Sequence, residues 1–166
     1  MKRKKRNSKP AKAASARPAR DVDATWRSAR TALNEGALET AIQGFRKMLD
    51  AVPDHANALS GLGHALAMDG RAGDALKTLR QARERARMDP NVQYEIGHGF
   101  LELRRFDEAA LAFQAAVIAS PSFGPALLNL AHCLVEGGKE TEAKPILERA
   151  LLLEPLSAPE DRKSVV

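Results

Sequence analysis

The chain has 166 residues, enough for one domain with a sizeable core or a short quasi-linear array, and its 44% apolar but only 4% aromatic content favours close helix packing over a sandwich or barrel. The net charge of +5 is uneven: residues 1–20 hold nine Lys or Arg and no acid, while the remainder has 17 basic and 21 acidic side chains, so any nucleic-acid argument rests on the tail alone. A single cysteine excludes an intramolecular disulfide and a cysteine-built metal site, and no apolar run reaches the roughly 18 residues of a membrane-spanning helix.

Residues 1–20 carry no apolar side chain larger than Ala after Met1 and are expected to be a disordered basic tail. The run Lys2 to Arg6 looks like a nuclear localisation signal in a eukaryotic source, and it also suits weak contact with nucleic acid, ribosomes or an anionic surface. No apolar stretch follows it, so no secretory signal is read there and the expected location is cytoplasmic, or nuclear in a eukaryote.

From Asp21 a helical period takes over. Helices are predicted near 23–34, 38–51, 56–68, 72–87, 91–103, 107–119, 124–136 and 140–153. Gly36, Gly70 and Gly138 fall where a left-handed residue reverses the chain, and Arg104 takes that place in the third unit. The helix starting near 72 is expected to run about a turn longer than its counterparts, because no proline intervenes before Pro90. Pro145 falls early enough in the last helix to be tolerated.

These helices repeat at 34 residues. Ala29, Gly63, Gly97 and Ala131 form one small-residue column, and Ala41, Ala75, Ala109 and Ala143 form a second. Phe45, Leu79, Phe113 and Leu147 fill a large apolar column, and Pro53, Pro121 and Pro155 close three of the units. Leu59, Leu62, Gly63 and Leu66 share one helix face, where Gly63 admits a partner helix closely. A helix pair cannot bury both of its sides, so each pair needs a neighbour.

The stretch Gln93-x2-Ile96-Gly97-x2-Phe100, Ala109-x3-Phe113, Pro121 resembles the tetratricopeptide repeat pattern. The resemblance covers Val22 to Ser157 and implies an all-α fold, a right-handed superhelix of helix-turn-helix repeats. It divides the chain into a tail (1–20), a domain over 21–157 with repeats 22–55, 56–89, 90–123 and 124–157, and a C-terminal tail over 158–166. It also implies a non-enzymatic scaffold that binds a partner peptide or helix in a concave groove. Two alternatives are an accessory or targeting region of a sulfotransferase or glycosyltransferase system, and nucleic-acid or ribosome attachment through the tail. After Leu151-Leu152-Leu153 the last repeat is left with an apolar edge, a surface for self-association.

No catalytic motif and no cofactor site is found. Cys133, between Leu130 and Leu134, reads as a packed side chain. His64, His98 and His132 recur every 34 residues, with Arg30 in the same column. At 100° per residue His64 lies about 150° from the Leu59/Leu62/Leu66 face. By the resemblance, that side lines the groove. Trp26 and Tyr94 lie one turn earlier, and Asn57 and Asn91 one turn earlier still. Trp26, Arg30, Asn57, His64, Asn91, Tyr94, His98 and His132 are therefore the candidate partner-binding residues. Equivalent helices should stand about 10 Å apart, too far for the imidazoles to share a metal ion. Tyr94 and His98 are expected to be replaceable at little cost to the fold. Of the residues in these columns only Arg30 could clamp a carboxylate as the family's chaperone-binding members do.

Overall fold

The computed structural model describes residues 17–153, with side chains from Val22 onward. Eight helices follow one another: α1 (Arg17–Asn34), α2 (Leu38–Ala51), α3 (Ala56–Met68), α4 (Ala72–Arg85), α5 (Pro90–Glu102), α6 (Phe106–Ala119), α7 (Gly124–Glu136) and α8 (Glu140–Leu153). Among the described residues there is no strand, and no helix is long and apolar enough to cross a membrane.

The reversals between odd and even helices are built alike. Gly36, Gly70 and Gly138 have φ of 74°, 76° and 72°, and Arg104 takes 54°. In each, the next residue's N–H reaches back five positions: Ala37 to Ala32, Arg71 to Leu66, Arg105 to Phe100 and Lys139 to Leu134, all at 2.8–2.9 Å. This is the Schellman closure, which satisfies carbonyls left open at a helix end. At the third reversal a Cβ-bearing residue adopts the left-handed conformation, and the Arg104 guanidinium lies 5.2 Å from the Phe106 ring centre. Helix starts are also specified locally. Asp89 accepts from the N–H of Asn91 at 2.9 Å and of Val92 at 3.1 Å, with Pro90 opening α5.

Two boundaries differ from the sequence expectation. Helix α1 begins at Arg17 rather than near 23, so residues 17–20 of the expected tail are helical. The expectations for 1–16 and 158–166 fall outside the described residues. Helix α4 ends at Arg85 and is 14 residues long, no longer than α2. The carbonyls of Ala86 and Arg87 turn instead to accept the Gln93 amide at 3.0 and 3.3 Å, which spends those residues on the connection.

Packing uses the small-residue columns. Consecutive helices form antiparallel hairpins, and the pairs stack through α2 on α3, α3 and α4 on α5, and α6 on α7. A Cβ at Gly63 would lie 2.6 Å from Leu79 Cδ2, and one at Gly99 would lie 2.8 Å from Leu79 Cδ1. Leu79 is thus wedged between α3 of its own pair and α5 of the next. Phe45 packs against Gly61, and Phe113 against Gly97, in the same way. Cys133 is buried, and desolvation pushes its thiol up to about 11, which makes it a packing group rather than a nucleophile.

Candidate functional site

Helix α3 packs directly on α5, whereas no two even-numbered helices share a packed interface among the described residues. The odd-numbered helices α1, α3 and α5 therefore line one side of the array. On each of them, positions three, four and seven apart present one face to that side, as the helical period dictates.

Glu95 sits at the centre of this wall. Its side chain is 6% exposed, and both of its ion-pair partners come from other helices. Arg30 of α1 approaches Oε2 at 2.8 Å, and His64 of α3 donates from Nδ1 to Oε1 at 2.5 Å. Burial alone would raise the Glu95 pKa, but the His64 hydrogen bond and the charges of His64 and Arg30 together outweigh it and hold the carboxylate below its usual range. One acid thus joins helices from three successive pairs.

An aromatic chain continues from it. The His64 and His98 rings stack at 5.6 Å, and Tyr94 meets His98 edge-on at 4.6 Å. Tyr94 also contacts Phe113 at 5.6 Å and Phe123 at 4.9 Å, so the phenol is part of the core as well as the wall. Asn129 of α7 donates to the Tyr94 hydroxyl at 3.2 Å and faces His98 Nε2 at 3.3 Å. With an amide N–H directed at it, Nε2 is the acceptor and the imidazole is neutral. Burial, then the neighbouring His64, lowers the His98 pKa accordingly. Desolvation raises that of Tyr94.

Beside this network lies a cavity of about 410 Å³ lined by Trp26, Arg30, Asn57, Ser60, Asn91, Tyr94 and Glu95. Trp26 is half-buried, with the Arg30 guanidinium 5.9 Å from its ring centre. Ser60 is spent on the Asn57 carbonyl at 3.2 Å. The side-chain amides of Asn57 and Asn91 hydrogen-bond to none of the described residues. They offer both donors and acceptors, one repeat apart, to whatever enters.

Five of the candidate residues from the sequence therefore line one cavity: Trp26, Arg30, Asn57, Asn91 and Tyr94. His64 and His98 lie in the adjoining network, while His132 is exposed on α7 and makes no polar or ring contact among the described residues. The spacing of the helices does not keep the central pair of imidazoles apart. Their side chains lean together until the rings stack. Tyr94 is likewise not a free groove residue, given its two phenylalanine contacts. Sequence reasoning missed Glu95 and Asn129. They share a column with Arg27 and Gly61, one residue after that of Trp26 and Tyr94, and this adjacency was the available signal.

A family profile described as tetratricopeptide repeat matches residues 32–94 and 100–160. Tetratricopeptide repeat-containing protein trd-1 of Caenorhabditis elegans is 26% identical over 117 residues, which are 70% of this chain but only 15% of that protein. Among solved structures, PilF of Pseudomonas aeruginosa superposes with a TM-score of 0.72 at 23% identity, covering 82% of this chain and 62% of that one. MamA from Desulfovibrio magneticus superposes with a TM-score of 0.64 at 21% identity, covering 83% and 78%. At these identities the structural matches establish the fold alone.

Proposed function

Because the chain belongs to the tetratricopeptide repeat family, whose members are protein-interaction scaffolds, we propose that it is a non-enzymatic module that holds a segment of a partner protein on the inner face of its odd-numbered helices. The binding unit is residues 21–157, read as four repeats. The observation that carries this reading is the pair of unengaged amides, Asn57 and Asn91, flanked by the half-buried Trp26 and Tyr94 in one cavity. Side-chain amides can bond both the N–H and the C=O of a peptide, while indole and phenol supply apolar area with a polar tip. Glu95 neutralises the adjacent Arg30, so the wall is polar without a strong net charge.

A photo-crosslinking amino acid at position 57 or 91, compared with one at exposed Gln114, tests the reading in cells of the source organism. The expected result is one protein captured from both groove positions and absent from the control. The Asn57→Ala/Asn91→Ala double variant should then weaken that partner by about 1–3 kcal/mol in a titration. Capture from Gln114 alone would reject the groove.

A further inference from the structure

The repeat-to-repeat interface does not stop at the last helix. Phe45, Leu79 and Phe113 are each 0% exposed, whereas Leu147 in the same column is 39% exposed. Val117 is 7% exposed, and Leu151, its equivalent one repeat later, is 63%. Helix α8 thus presents the surface that the inner pairs use for stacking, and none of the described residues covers it.

The opposite end is different. Ala24, Arg27, Ser28 and Thr31 of α1 are exposed at positions whose equivalents Ala58, Gly61, Leu62 and Ala65 are buried. That end is polar and carries a cation, so a second molecule stacked head to tail would bury Arg27 against leucines, an uncompensated desolvation. In the repeat register Asp161 falls in the column of Leu59, Gln93 and Leu127, and Ser164 in that of Leu62, Ile96 and Leu130, so the sequence there does not continue the apolar pattern of the earlier odd-numbered helices.

The α8 surface does match itself. Lys144, Leu147, Glu148 and Leu151 fall within about 100° of arc on one helix face. A two-fold axis passing between positions 147 and 148 maps these four positions onto one another in an antiparallel pair. It brings the two Leu147 side chains together at the axis, lays Leu151 on the aliphatic stem of the twin's Lys144, and sets each ammonium one turn from the twin's Glu148. Lys144 and Glu148 are both exposed, which leaves them free to pair.

We propose that the chain forms a two-fold, tail-to-tail dimer in which α8 packs antiparallel on α8 of a second copy, continuing the internal stacking interface across the axis. Such an interface is isologous and closes at two copies, leaving both inner grooves open.

Sedimentation velocity on the full-length chain, over concentrations reaching several hundred micromolar, tests this. The expected result is reversible association to twice the 18.0 kDa monomer mass. Leu151→Glu should raise the dissociation constant at least roughly tenfold with unchanged helicity by circular dichroism, since that side chain makes few contacts in the monomer. Lys144→Glu and Glu148→Lys should each weaken the dimer, and the two combined should restore it. Asn57→Ala/Asn91→Ala should leave the mass unchanged, which separates this interface from the groove. A monomer at every concentration overturns the proposal. So does a dimer indifferent to Leu151→Glu, a charge swap without recovery, unlimited head-to-tail growth, or dimerisation only after residues 154–166 are deleted.

Discussion

Replacing Glu95 by Gln tests the reasoning about the groove wall most directly. The carboxylate is almost wholly buried and accepts from His64 at 2.5 Å and from Arg30 at 2.8 Å. Breaking a buried ion pair costs about 3–5 kcal/mol when the remaining charge is trapped. Arg30 is not trapped. Its side chain is 39% exposed and can turn to water, which removes much of that penalty. The amide oxygen of Gln can still accept one hydrogen bond, so a loss of about 1–2 kcal/mol is expected at neutral pH. Urea unfolding followed by circular dichroism would report it as a lowered midpoint with an unchanged slope. The pH dependence supplies the second readout. The folded-state pKa of Glu95 is depressed, so its contribution is fully present above the unfolded value and is lost as pH falls through the folded one. The gap between wild type and Glu95→Gln should therefore be constant near neutrality and close in acid, below the ordinary carboxylate range of about 4.3. A variant as stable as wild type at pH 7, or a gap that widens in acid, would refute the assignment of Glu95 as the bridge between α1, α3 and α5.

Three other outcomes follow from the structure. The folded pKa of His98 is lowered, so the neutral imidazole stabilises the fold above about 6.5, and stability should decline as pH falls below it; His98→Gln should flatten melting temperature across pH 5–7. Gly63→Ala should destabilise by about 1–3 kcal/mol in chemical denaturation, because its Cβ would lie 2.6 Å from Leu79 Cδ2; Gly73→Ala in α4 meets nothing within 4 Å and should stabilise by about 0.4–1 kcal/mol.

Most helix boundaries were legible because turn residues and small-residue columns agree at each repeat. Six helices, α2, α3, α5, α6, α7 and α8, start and end within one residue of the expected positions. The end of α4 was not legible, since only the Gln93 side chain, seven residues away from Ala86, decides that its carbonyl leaves the helix. Nor was the start of α1, whose sequence reads as tail by composition. The alignment of Arg30, His64 and His98 on successive odd-numbered helices could be read from their column. Their chemistry could not. Arg30 and Glu95 stand two repeats apart in sequence, and the packing of α1, α3 and α5 brings them to 2.8 Å. A lone acid in a helical column looks like a solvated charge until that packing is known. The expectation that Tyr94 and His98 could be removed cheaply fails for a related reason. Tyr94 touches Phe113 and Phe123, so an alanine there removes core as well as groove.

The bridge from Arg30 to Glu95 also changes how the array should come apart. In a linear stack, stability is approximately a sum over neighbouring units, and the ends fray independently of the middle. Here α1 is fastened not only to the pair beside it but to α5, past the intervening α3. Releasing the first helix strips a counter-ion from an acid buried two units away, so terminal opening is penalised by a site that itself stays folded. The first three units are thereby tied into one cooperative block, while α7 and α8 are held to it by the Asn129 hydrogen bonds to Tyr94 and His98 and by the exposed Lys139–Asp107 pair, so this segment should open first.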